Sequence, residues 1–153
     1  MSRIDIHPLE RNNHIPMSLL LSADPSEKLV SEYLGRGQCY VAKVDEKIIG
    51  IYVLLPTRPE TVELVNIAVD ETFQGKGIGK KLILHAIETA RKKGYKTIDV
   101  GTGNSSISQL ALYQKCGFRI TAIDRDFFQR HYSEAIYENG IKCVDMIRLS
   151  QDI

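Results

Sequence analysis

Val62-Glu63-Leu64-Val65-Asn66-Ile67-Ala68-Val69, then Asp70-Glu71-Thr72-Phe73, then Gln74-Gly75-Lys76-Gly77-Ile78-Gly79-Lys80-Lys81-Leu82, is the stretch that decides the fold. An apolar strand runs into a glycine-rich turn, and the turn runs into an amphipathic helix. Glycines at such a junction let backbone N–H groups close around a phosphate, because no Cβ stands in the way. The new helix adds unpaired N–H groups and the positive end of its dipole. The segment therefore reads as a pyrophosphate cradle. Two common phosphate patterns fail on it. The dinucleotide fingerprint G-x-G-x-x-G, started at Gly75, would need glycine where Lys80 stands. The P-loop would need glycine in place of Gln74 and a hydroxyl residue in place of Lys81.

What remains is Q-x-x-G-x-G, spelled by Gln74, Gly77 and Gly79. On these residues the chain resembles the GNAT superfamily of acyl-CoA-dependent N-acetyltransferases, whose pyrophosphate loop reads [Q/R]-x-x-G-x-[G/A] between a strand and a helix. A second segment agrees. Residues 97–118 run from a strand through a polar turn into a short helix that ends at Gly117, and are similar to the family's N-x-x-A-x-x-L-Y-x-K-x-G-F at Leu112, Tyr113, Lys115, Gly117 and Phe118. The asparagine departs from the pattern: its place is taken by Ser106, and the nearest asparagine is Asn104. Either can fill the polar contact to the cofactor that the resemblance implies.

Composition fits one soluble domain. The chain of 153 residues is 43% apolar and 25% charged, with a formal net charge of +1. A chain of this size can bury a real core. Near-neutral charge gives no bulk attraction to nucleic acid or to an anionic membrane. No apolar run approaches the ~20 residues needed to span a bilayer. Met1-Ser2-Arg3-Ile4-Asp5-Ile6 carries charges where a signal peptide would need an apolar core, so the chain reads as cytoplasmic. Cys39, Cys116 and Cys143 form no C-x-x-C pair and His7, His14, His85 and His131 show no H-E-x-x-H spacing, so no metal site is expected.

Along the chain, Arg3 to Ile6 reads as a strand, and His14 to Leu21 and Ser26 to Leu34 as helices, with Asp24-Pro25-Ser26 a helix start. Gln38 to Val44 and Ile48 to Leu55 read as a hairpin, Pro56 to Glu60 as a loop, and Val62 to Val69 as the strand that feeds the cradle. Ile78, Leu82, Ile83, Ala86, Ile87 and Ala90 recur at helical spacing up to a stop at Gly94. Thr97 to Val100, Ser106 to Lys115 and Arg119 to Asp124 read as strand, helix and strand. Asn139-Gly140 signals a hairpin turn, and Ile141 to Leu149 the last strand. This order, β-α-α-β-β-β-α-β-α-β-β, is the one the resemblance implies over nearly the whole chain. The expected fold class is α/β (α+β mixed): a single N-acetyltransferase domain, residues 1–153, with a mixed, mostly antiparallel sheet and helices on both faces.

The resemblance further implies a site. Acetyl-CoA would lay its pantetheine as a pseudo-strand between splayed fourth and fifth strands, pairing with main-chain groups of Ile67 and Val69 across Ala68. Its pyrophosphate would sit on residues 74–80 (Gln74, Gly75, Lys76, Gly77, Ile78, Gly79, Lys80), with Lys76, Lys80 and Lys115 near the phosphates. Tyr113 would protonate the departing thiolate. A primary amine is protonated at neutral pH, and freeing it costs roughly 4–5 kcal/mol. Glu63, eleven residues before Gln74, is the candidate base, directly or through water. The acceptor pocket would come from Met17 to Asp24 and the tail, with Asp124 and Asp126 holding a cationic amine against Phe127, Phe128 or Tyr132. The acceptor itself, a small molecule or a peptide amine, is open, as is a homodimer. The rival function is a non-catalytic acyl-CoA-binding module, a sensor or interaction subunit.

Overall fold

The computed structural model describes residues 3–10 and 14–153. A seven-stranded sheet runs in the order β1-β2-β3-β4-β5-β9-β6, built from β1 (Asp5–Pro8), β2 (Gln38–Val44), β3 (Lys47–Arg58), β4 (Thr61–Val69), β5 (Thr97–Gly103), β6 (Arg119–Asp124) and β9 (Met146–Asp152). A separate two-stranded hairpin, β7 (Tyr137–Glu138) and β8 (Ile141–Lys142), flanks Asn139-Gly140. All neighbours in the large sheet are antiparallel except β4 and β5. The helices are α1 (Met17–Ala23), α2 (Glu27–Arg36), α3 (Ile78–Lys92), α4 (Ile107–Lys115) and α5 (Phe127–His131).

Two cores sandwich the sheet. On one face Leu20, Val30 and Tyr33 of α1 and α2 pack on Val41, Ile51, Val53 and Ala68. On the other, the expected stripe of α3 is buried entire (Ile78, Leu82, Ile83, Ala86, Ile87, Ala90), packed with Tyr113 of α4 on Tyr52, Leu64, Ile98 and Leu149. A helix that keeps its apolar residues on one stripe has only this way to remove them from water. The fold class, with helices on both faces of a mixed sheet, is as the sequence implied.

Several boundaries move. The expected strand at Arg3 to Ile6 is β1, starting at Asp5, and the helix expected from His14 starts at Met17 after Pro16. Pro56 to Arg58, expected as loop, continue β3, because their partners Val62 and Thr61 extend the ladder to a two-residue turn, Pro59-Glu60. Strand β5 runs on to Gly103 along β9. The last strand is broken: Cys143 to Asp145 leave the ladder between β8 and β9. Residues 125–132, read only as an acceptor segment, contain α5. The expectation that the amino terminus does not read as a signal peptide rests partly on Met1 and Ser2, which lie outside the described residues. Among the described residues no helix is long and apolar enough to cross a membrane.

One irregularity in β4 positions the site. Val53 of β3 faces Asn66, yet the next residue, Leu54, faces Leu64, so Val65 is an extra residue in β4, a β-bulge. Before the bulge Val62 and Leu64 face α3; after it Ile67 and Val69 do. Asn66 and Ala68 are thereby turned to the α1–α2 face. The parallel pairing of β4 with β5 stops at the bulge, its last pair being Leu64 with Val100. Beyond it the two strands diverge, and their edges open a gap.

Candidate active site

Two cavities meet in that gap. The first, of about 420 Å³, is lined by Ile67, Ala68 and Val69 of β4, by Gln74, Gly75, Gly77, Ile78, Gly79 and Lys80, and by Ser108, Gln109 and Leu112 of α4. It is a groove whose far end is the glycine loop. Gly75 and Gly77 have φ of +78° and +79°, and a Cβ at either would meet no protein atom within 4 Å. These conformations are strained for most L side chains, while the space before them is open, as a cradle requires. Gly77 is the residue from which α3 starts, so the helix amides at 78–80 open toward the groove. Gln74 ties the loop to its strand: its Nε2 donates to the Val69 carbonyl at 3.0 Å. That leaves the Val69 carbonyl one lone pair for anything laid along β4.

The second cavity, of about 310 Å³, continues from the first, sharing Ser22, Ala23, Ile67 and Gln109. Its walls are the diverging strands (Leu64 to Ile67 and Gly101 to Gly103), Asp24 and Pro25, Ser106 and Tyr113 of the α4 segment, Phe128 and Tyr132 of the α5 segment, and Ile136, Glu138, Cys143 and Met146. Tyr113 is 4% exposed and meets Phe118 edge to face, with ring centroids 5.9 Å apart. Burial pushes its hydroxyl well above the ordinary phenol range, with Cys116 adding to the shift, so it stays protonated at neutral pH.

The remaining sequence-nominated residues are scattered. Glu63 precedes the bulge and lines neither cavity. It sits in a separate depression with Arg58, Asp99, Arg148 and Ser150, its Oε2 3.8 Å from Arg148. Burial raises its pKa above the usual carboxylate value; Arg148 opposes this and Asp99 adds to it. The Asn104 side chain is spent on structure. Its Oδ1 accepts from the backbone N–H of Val144 and Asp145, and its Nδ2 donates to the Lys142 carbonyl, which pins the break between β8 and β9. Ser106 lines the second cavity and its hydroxyl donates to Glu138 at 2.9 Å. Of the lysines, Lys80 lines the groove. Lys76 lies over the Phe73 ring at 5.3 Å, and Lys115 is exposed and lines neither cavity.

The acids expected at the acceptor lie apart from the second cavity. Asp124 is not in the second cavity: its carboxylate pairs with Arg130 at 2.7 Å and Arg148 at 3.6 Å. Asp126 is not in it either, and starts α5 in a left-handed conformation, its N–H donating to Asp145. Their neighbours Phe128 and Tyr132 do line it. The acids that line the cavity are Asp24, the terminal residue of the α1 segment named from sequence, and Glu138. Asn66 was missed. A polar residue inside V-E-L-V-N-I-A-V is the signal that marks it, but its face depends on the bulge. Among the described residues no group of three or more His, Cys, Asp or Glu is placed to hold a metal, and Cys39, Cys116 and Cys143 are unpaired.

A glycine cradle at a helix start, a groove along a half-paired strand and a buried tyrosine beyond it define an acyl-CoA transferase architecture. The chain belongs to the acetyltransferase (GNAT) family, whose family model matches residues 9–118. It is 60% identical over 153 residues to the uncharacterized N-acetyltransferase YvbK of Bacillus subtilis strain 168, covering 100% of this chain and 99% of that one. Among solved structures it is similar to an IAA acetyltransferase from Bacillus cereus (TM-score 0.95, 58% identity, 99% of this chain and 100% of that chain). It is also similar to a GNAT family acetyltransferase from Elizabethkingia anophelis with acetyl-CoA bound (TM-score 0.96, 52% identity, 98% of each chain).

Proposed function

We propose that this chain, as one domain, transfers the acetyl group of acetyl-CoA to a primary amine by direct attack within a ternary complex. The observation that carries the reading is the junction of the two cavities at the β4–β5 gap, with Tyr113 just beyond it. A groove alone would suit a binding module; a second cavity opening onto the groove's end gives a second reactant a place beside the first. The neighbour that holds acetyl-CoA supports the choice of donor.

In this reading the pyrophosphate lies on residues 74–80 and the pantetheine along Ile67 to Val69. Lys80, which lines the groove, is the lysine assigned to the phosphates. Ser106 is the polar group offered to the cofactor at its reacting end, since Asn104 is spent elsewhere. The ammonium passes one proton along water to the Glu63 carboxylate, which lies outside both cavities and returns it to solvent. The free amine attacks the thioester carbon, the C–S bond breaks, and the sulfur leaves as thiol. Net, an ammonium and acetyl-CoA give an amide, CoA thiol and one proton. Tyr113 donates its hydrogen to the developing thiolate. Its raised pKa makes complete transfer to a thiol of pKa about 8.5 uphill, so the proton passes as the amine's second proton restores the phenol.

The test is thiol release from acetyl-CoA over a panel of aminoglycosides, polyamines, amino acids and peptides. Saturable, amine-dependent release is expected. Binding of acetyl-CoA without release over any amine would instead favour a non-catalytic acyl-CoA-binding module.

A further inference from the structure

The second cavity contains a hydrogen-bonded chain that the transfer chemistry above does not use. Asp24 caps the carboxyl end of α1, its N–H donating to the Leu20 carbonyl. Its Oδ1 accepts from the Tyr132 hydroxyl at 2.7 Å and the Ser26 N–H at 3.1 Å, and its Oδ2 accepts from the Tyr33 hydroxyl at 3.1 Å. The Tyr33 oxygen in turn accepts from Asn66 Nδ2 at 2.8 Å, and the same Nδ2 donates to the Leu20 carbonyl at 3.1 Å. This fixes the amide's orientation, because the flipped amide would set oxygen against a carbonyl oxygen. Asn66 is 4% exposed, it lines the cavity, and its Oδ1 meets no protein donor. A buried carbonyl oxygen without a donor is costly to desolvate, so it marks a place where something else donates.

The cavity is also one-sided in charge. Asp24 and Glu138 line it, and among the described residues no Lys, Arg or His does. Both phenols on Asp24 are held protonated, by burial first and by Asp24 itself, so they remain donors to the carboxylate. Phe128, Tyr132, Ile136 and Met146 supply an apolar wall. A group entering here must bring hydrogen-bond donors and positive charge. A carboxylate would meet the two acids Asp24 and Glu138.

We propose that Asp24 and the Asn66 Oδ1 form the seat of the acceptor's ammonium group, and that the cavity selects amines carrying no carboxylate beside the nitrogen. This rests on the acetyl-transfer reading. An ammonium has three donors and no acceptor, which matches a carboxylate and an unpartnered amide oxygen. Tyr33 and Tyr132 are positioning residues that fix the carboxylate.

Phenethylamine and phenylalanine, which differ by one carboxylate, are the probes. Thiol release is measured for both, together with calorimetric binding of phenethylamine to the acetyl-CoA-loaded protein. Phenethylamine should exceed phenylalanine at least tenfold in kcat/KM. Asp24→Asn should lose at least tenfold in kcat/KM for phenethylamine, carried by KM, with acetyl-CoA affinity within twofold of the parent. Tyr132→Phe, which leaves the acid in place, should raise KM severalfold, and this second variant keeps the test open should Asp24→Asn fold poorly. Phenylalanine as the better substrate, or Asp24→Asn with unchanged KM, overturns the seat. Phenethylamine binding that is lost in Asp24→Asn, without thiol release in the parent, keeps the seat and sinks the transfer reading. Neither binding nor release overturns both.

Discussion

At the scale of single residues, Tyr113 and Glu63 are both shifted upward by burial but lie in different depressions. Tyr113 is buried at the end of the groove and stays protonated, which suits a donor. Tyr113→Phe removes only that donor. It is expected to lower kcat about 10²–10⁴-fold with acetyl-CoA affinity nearly unchanged, read by steady-state kinetics and calorimetry. Glu63 is held with a raised pKa, first by burial, in its own depression. A base must be ionised to act, so activity should rise with pH through that raised pKa, and Glu63→Gln should lose this acidic limb of the kcat/KM profile. An unchanged profile would leave solvent alone as the proton's acceptor. The same shift has a consequence for stability. The folded state holds the Glu63 proton more tightly than the unfolded chain does. Its contribution is therefore fully present below the unfolded carboxylate pKa and is lost as pH rises through the folded value. Thermal melts should show Glu63→Gln gaining Tm relative to the parent at pH 7 and not at pH 4.

At the scale of elements, the glycine loop and the β4 bulge carry the site. In the proposed reading the loop takes the pyrophosphate because Gly75 and Gly77 turn the chain with positive φ and leave open space before α3. Gly77→Asp places a Cβ and a negative charge there. Asp tolerates left-handed backbone better than most residues and is a good helix cap, so the fold should survive. Calorimetry should show at least a tenfold loss of CoA affinity, and affinity equal to the parent's would place the pyrophosphate elsewhere. The bulge is less visible in sequence. Glu63 and Asn66 are three apart, so a regular strand would put them on opposite faces. Val65, as the extra residue, sets both toward the α1–α2 side and ends the pairing with β5 where the gap is needed.

At the scale of the molecule, the gap sits at the parallel junction of the sheet, where β4 and β5 share four residue pairs, Thr61 to Leu64 with Thr97 to Val100. A ligand bridging these strands should tie the two halves of the sheet together. At a hundredfold excess over Kd, binding to the folded state adds about 2.7 kcal/mol. For a domain of this size that is a rise in Tm of about 5–10 °C. Differential scanning fluorimetry with acetyl-CoA should show it in the parent, and Gly77→Asp should show much less.

The amino-acid order by itself determined the strand–cradle–helix unit, the stripe of α3, the Asn139-Gly140 turn and the place of Tyr113. Each depends on residues close in sequence: glycines that permit a turn, a 3.6-residue period, a short motif. The element order followed, and with it the mixed sheet. The acceptor chemistry did not. Asp124 and Asp126 looked available until Arg130, Arg148 and Asp145 engaged them. Asn104 looked like a cofactor ligand until it closed on Val144 and Asp145. Asp24, Tyr33, Asn66 and Tyr132 join only when α1, α2, β4 and the α5 segment come together, across as many as 108 positions of chain. Local pattern fixes which faces are apolar, whereas the partner of a polar side chain is whichever group long-range packing brings within hydrogen-bond reach. Only the tertiary structure decided that.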